Sequence, residues 1–108
     1  MKQAVEALAA LAQETRLKVY RLLVEAGPAG LPAGRIGEEL ALAPATLSFH
    51  LAHLARTGLV QGRQDGRFVI YSADFRNMNA LVGYLTENCC GGRACAPASK
   101  PRKERKAA

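Results

Sequence analysis

A chain of 108 residues with 49% hydrophobic content holds one domain with a modest core, and no run approaches the ~20 apolar residues of a membrane span. The net charge of +6 fits a polyanionic partner, and four of those six charges sit at 100–106, where Lys100, Arg102, Lys103, Arg105 and Lys106 face Glu104 alone. Met1 opens an amphipathic, charged segment rather than a secretory apolar run, so the expected compartment is the cytoplasm.

Val5, Leu8 and Ala12 recur at three and four residues and predict a first helix over about 3–12. Thr15 is placed to cap a second helix carrying Leu17, Tyr20, Leu23 and Val24, and Gly27-Pro28 stops it. Residues 29–31 read as a connector, and Pro32 opens a short helix with Ile36 and Leu40 on one face. After a tight connection, Leu47, Leu51 and Leu54 form one apolar stripe at helical period. Pro44 suits the first turn of that helix, where its missing N–H is not needed, and Gly58 sits where a glycine ends it. A bracing helix followed by one that carries Thr46, Ser48, His50 and His53 off its apolar stripe has the layout of a helix-turn-helix. The plain alternative is an αα-hairpin inside a bundle.

After Gly58 the period changes. Runs 60–64 and 67–73 flank Asp65-Gly66, which predicts a hairpin with a type I′ turn. Phe68 and Ile70 alternate with Val69 and Tyr71 along its second strand. A hairpin directly after a recognition helix is a wing, with Arg63, Gln64 and Arg67 at or near its tip for phosphate or minor-groove contact. Asp74 caps a last helix with Met78, Leu81, Val82 and Leu85 on one face, running to about Asn88, and Gly91-Gly92 end regular structure. The expected organisation is a winged helix-turn-helix and dimerisation domain over 1–90, and a flexible tail over 91–108 that holds Cys95 and the basic run. The apolar stripes of the first and last helices are expected to pack against a second copy of the chain.

Cys89, Cys90 and Cys95 lie within seven residues. An odd count in a cytoplasmic chain argues against a disulfide framework, and the crowding argues against random core use. They follow a helix C-terminus, where the dipole disfavours a thiolate. A catalytic thiol instead needs an anion-binding loop before a helix N-terminus, so an enzyme is not expected.

Three blocks of the sequence resemble the ArsR/SmtB family of winged-helix metalloregulators. LAALAQETRLKVYRLL is similar to its opening segment, LALAPATLSFHLAHLARTGLV to its recognition-helix block and GRQDGRFVIYSA to its wing, together spanning about 8–73. The resemblance implies a mainly α fold with a small β-hairpin wing. It also implies a homodimer that binds a palindromic double-stranded operator without a cofactor and releases it when a metal or metalloid binds. The DNA-facing set is then Ala45, Thr46, Ser48, Phe49, His50 and His53 with Arg63, Gln64 and Arg67. For the two histidines, phosphate or base contact, or packing, is favoured over metal binding. For Phe49 the choices are a thymine methyl or packing.

The family's sensing sites differ in position. Segment 31–42 has no cysteine, 75–88 has no histidine and only Glu87 as carboxylate, and no cysteine precedes Cys89. What remains is Cys89-Cys90-Gly-Gly-Arg-Ala-Cys95, which resembles the arsenite-sensing branch with three thiols just after the last helix. Trivalent arsenic keeps a lone pair and completes its shell with three thiolates, and soft thiolates select soft ions. The expected inducer is therefore As(III), with Sb(III) acting alike, held by Cys89, Cys90 and Cys95. A divalent metal, thiol oxidation through the same cysteines, and incidental cysteines are the alternatives.

Overall fold

The computed structural model describes residues 1–92, so Cys95, the basic run and most of the expected tail lie outside the described residues. The chain forms α1 (Lys2–Leu11), α2 (Glu14–Ala26), β1 (Leu31–Pro32), α3 (Ala33–Leu40), α4 (Pro44–Arg56), β2 (Val60–Asp65), β3 (Phe68–Ala73) and α5 (Phe75–Leu85). A tight turn over Cys89–Gly92 follows. The predicted mainly α fold with a wing is present: helices enclose one core, and an antiparallel sheet of order β1-β3-β2 lies at its edge.

The core is built where the helical stripes converge. Val19 and Leu23 of α2, Ile36 of α3, Leu51 and Leu54 of α4, and Leu59 just before β2 are fully buried. Burial of each such side chain contributes about 1.5–3 kcal/mol, so this cluster holds α4 against the body. Local signals set the helix ends. Gly27 closes α2 with φ +79°, Pro44 occupies the first turn of α4, and Asp74 Oδ1 accepts from Asn77 N–H at 3.0 Å. The cap of α2 differs from expectation. Gln13 supplies it, its Oε1 accepting from Arg16 N–H at 2.8 Å, while Thr15 already lies inside the helix.

Three further features depart from the sequence reading. β1 takes Leu31 from the expected connector and Pro32 from the expected start of α3, with Leu31 opposite Tyr71 and Pro32 opposite Ile70. Gly30 makes this pairing possible: its φ is +73°, and a Cβ there would collide with the Tyr71 carbonyl oxygen. The wing turn is shifted by one residue. Asp65 pairs with Phe68, and the two-residue loop is Gly66-Arg67. Only Gly66 has positive φ (64°), the pattern of a II′ turn with glycine first rather than a I′ turn. Finally, α5 ends at Leu85 rather than near Asn88. The Thr86 hydroxyl donates to the Val82 carbonyl at 2.9 Å, and Asn88 (φ +58°) turns the chain out of the helix.

Burial along β3 rises from tip to base instead of alternating: Phe68 and Val69 are exposed, Ile70 and Tyr71 half-buried, Ser72 and Ala73 buried. The outer wing therefore projects past the body with both faces in solvent. On α1, Val5 and Leu8 are exposed while the small Ala7 and Ala10 are buried. On α5 only Leu81 is buried, and Val82, Tyr84 and Leu85 are exposed. Among the described residues, no helix is long and apolar enough to cross a membrane.

Candidate nucleic-acid interface and thiol pair

The three-residue connection Ala41–Ala43 carries the chain from α3 to α4. Ala41 takes a left-handed conformation (φ 54°, ψ 48°) that ends α3 and turns the chain into the connection. Leu47, Leu51 and Leu54 are buried as expected, which fixes the opposite side of α4 toward solvent. At 100° per residue, Ala45, Ser48, Phe49, Ala52 and Arg56 share one outward arc, and all five are exposed. Thr46 is exposed beside this arc, and His53 is half-buried at its flank.

His50 departs from its expected place. It is 9% exposed, and its Nδ1 has no hydrogen-bond partner among the described residues. The reason is visible in the spacing: His50 lies three residues after Leu47 and four before Leu54, on the apolar face. Of the roles considered for it, packing is the one that this burial fits. Burial, and then the nearby Arg16 guanidinium, push its pKa below the ordinary histidine value. Arg16 is itself held at the corner of α1 and α2, its Nε donating to the Ala10 carbonyl at 2.7 Å. The pKa of His53 is lowered by burial and by Arg16, Arg56 and His50, in that order.

A histidine with a depressed folded pKa binds fewer protons in the native than in the unfolded state. Stability is then full above the unfolded value of about 6.5 and is lost as pH falls through that value and the lower folded one. Urea midpoints should accordingly fall between about pH 7.5 and about pH 5.5, and His50→Leu should shrink that difference. An unchanged pH dependence in the variant would remove His50 as the cause.

In the wing, Arg67 occupies the exposed turn. Gln64 braces that turn, its Nε2 donating to the Gly66 carbonyl at 2.9 Å. Arg63 extends from β2 toward the body, its Nη2 donating to the Ala29 carbonyl at 3.2 Å. Among the described residues the ion pairs are Glu14–Lys18, Arg21–Glu25 and Arg35–Glu39, all exposed. Arg56 and Arg67 are exposed and belong to none of these pairs. Arg56 is not among the residues expected to face DNA; its spacing of seven from Phe49 puts it on the same outward arc.

Beyond α5 the chain unwinds through positive φ at Asn88, Cys90, Gly91 and Gly92. On an ideal helix, adjacent side chains diverge by ~100°. Here the unwinding brings Cys89 Sγ and Cys90 Sγ to 3.6 Å, both residues exposed. Metal–sulfur bonds of ~2.3 Å meeting at about 100–110° place their sulfurs about 3.5–3.8 Å apart, so the pair has the spacing of two ligands on one atom. Among the described residues no group of three His, Cys, Asp or Glu converges, and the third thiol, Cys95, lies outside them.

Residues 11–63 match a helix-turn-helix domain family. The chain is 33% identical over 88 residues to the transcriptional activator HlyU of Vibrio cholerae, covering 82% of this chain and 79% of that one. The HlyU structure matches with a TM-score of 0.66 over 82% of this chain and 94% of that one, and another structure of the protein is described as reduced. An ArsR-like transcriptional regulator from Rhodococcus sp. RHA1 has 25% identity and a TM-score of 0.71, over 84% of this chain and 82% of that one. A structure described as a possible transcriptional regulator for arsenical resistance has 26% identity and a TM-score of 0.65, over 74% of this chain and 80% of that one. HlyU and the Rhodococcus protein are transcriptional regulators, not enzymes. Helix-turn-helix, wing and relatives agree: the chain belongs to the ArsR-type winged helix-turn-helix transcriptional regulators.

Proposed function

We propose that the chain is a homodimeric repressor that releases its operator when trivalent arsenic binds Cys89, Cys90 and Cys95. Antimony(III), with the same lone-pair chemistry, acts as a co-inducer. The observation that carries this reading is the thiol pair, 3.6 Å apart and four residues beyond Leu85 of the exposed apolar face of α5. That face, with Val5 and Leu8 of α1, supplies the apolar surface a second copy would cover. A two-fold dimer presents two recognition helices to successive major grooves ~34–36 Å apart, which is why a palindromic operator is proposed.

Gathering a third thiol onto the pair requires the chain after α5 to fold back, and the positive-φ run with its two glycines permits it. Closure at the end of α5 would reshape the dimer face beside it and shift one recognition helix against the other. A coupling of ~1–3 kcal/mol, roughly 5–150-fold in affinity, is the ordinary size for such a device.

The test is fluorescence anisotropy of the reduced protein on duplex DNA from upstream of its own gene, with arsenite, zinc and a thiol oxidant titrated separately. Release by arsenite alone supports the proposal. Release by zinc or oxidant alone would replace it. Thiol oxidation is the second reading, favoured by the exposure of both cysteines. A disulfide between adjacent cysteines is strained, so oxidation would join Cys95 to Cys89 or Cys90.

The wing arginines belong to the same proposal. Arg67→Ala and Arg63→Ala should each weaken DNA binding and flatten its salt dependence, by about one unit of log–log slope for each phosphate the arginine neutralises. A slope unchanged from the parent would show that the residue does not touch phosphate.

A further inference from the structure

Phe49 is 66% exposed at the middle of the outward arc of α4, and it is the largest side chain there that carries no charge. Its neighbours on the arc are short: Ala45 one turn before, Ser48 beside it and Ala52 one turn after. The ring is nonetheless held. It meets the His50 ring edge-on, with centroids 5.5 Å apart and 67° between planes, and His50 is fixed in the core. A single braced apolar side chain therefore projects from the face that a helix-turn-helix turns to DNA. Short flanking residues leave room for a base edge to reach it.

In the major groove the bases present hydrogen-bonding groups and one apolar group, the C5 methyl of thymine. A phenylalanine can satisfy none of the former, and desolvating them against a ring would be unfavourable. We propose that Phe49 is a specificity-determining residue that packs on a thymine methyl in each half-site, selecting thymine by its methyl and not by its hydrogen-bonding edge. This rests on α4 entering the major groove.

Duplexes would be selected from a random-sequence library with the full-length parent protein. Affinity would then be measured by anisotropy with each thymine replaced in turn by deoxyuridine, which keeps every hydrogen-bonding group and lacks only the methyl. The expected result is one thymine per half-site at which deoxyuridine weakens binding about fourfold, the scale of one buried apolar carbon. Phe49→Leu should keep that sensitivity and Phe49→Asn should lose it. Selected duplexes without an invariant thymine, no sensitive position in the parent, or sensitivity that persists in Phe49→Asn would each overturn the proposal. If no duplex is selected at all, α4 does not read DNA as assigned, and the inference falls with that reading rather than on its own.

Discussion

Cys95→Ser should bind operator DNA as tightly as the parent and lose most or all of its release by arsenite. Three thiolates complete the pyramidal shell of trivalent arsenic. With Cys95 removed, the exposed Cys89–Cys90 pair remains, 3.6 Å apart, but offers two ligands and no closure of the chain onto α5. The coupling that release depends on, roughly 5–150-fold in DNA affinity, should then collapse toward one. Cys90→Ser should behave in the same way. Cys90 is exposed, so the substitution should leave stability within about 0.5 kcal/mol. Anisotropy titrations with and without arsenite read both quantities from one sample. Undiminished release from Cys95→Ser would show that the third ligand is not this thiol.

A pair of charged substitutions on the last helix, Val82→Asp with Leu85→Asp, should convert the protein to a folded monomer that scarcely binds its operator. Both side chains are half or more exposed in the single chain (50% and 55%), so a carboxylate at either meets water and the core is untouched. In a dimer the same carboxylates would be buried against apolar surface, which costs several kcal/mol per ion. Breaking the link between two half-site contacts removes the effective concentration of the second, a loss of roughly 10²–10⁴ in affinity. Sedimentation equilibrium would give the mass and anisotropy the affinity. A variant that stays dimeric would place the interface elsewhere, and a monomeric variant with full affinity would mean that one subunit suffices.

Much of this architecture is legible in the sequence because it is local. Pro44, Gly27 and Asp74 act within one turn of chain, and the structure uses each as the sequence predicts. The leucine stripe of α4 is likewise a property of spacing alone. The parts that escape depend on partners distant in sequence or on choices the local chain leaves open. Strand β1 is two residues long, too short for any period, and exists because Tyr71 and Ile70 pair with it some forty residues later. Asp65-Gly66 and Gly66-Arg67 are both acceptable hairpin turns, and the register of β2 against β3 decides between them.

The site is unevenly legible for similar reasons. Residue chemistry puts His50 among the outward polar groups, whereas its position between Leu47 and Leu54 puts it inside. Arg56 escapes notice because it stands at the end of α4, although it continues the arc of Ala45, Phe49 and Ala52. The thiol cluster is legible as a crowd of cysteines. That the first two meet at ligand spacing follows from the backbone unwinding after Thr86, which residue type alone does not encode.

The most direct measurement is X-ray absorption at the arsenic edge of the reduced protein carrying one equivalent of arsenite per chain. Three sulfur neighbours and no oxygen around the arsenic, falling to two sulfurs in Cys95→Ser, is the predicted result. Oxygen-rich coordination in the parent, or coordination unchanged by that substitution, would contradict the three-thiol site on which the proposed function stands.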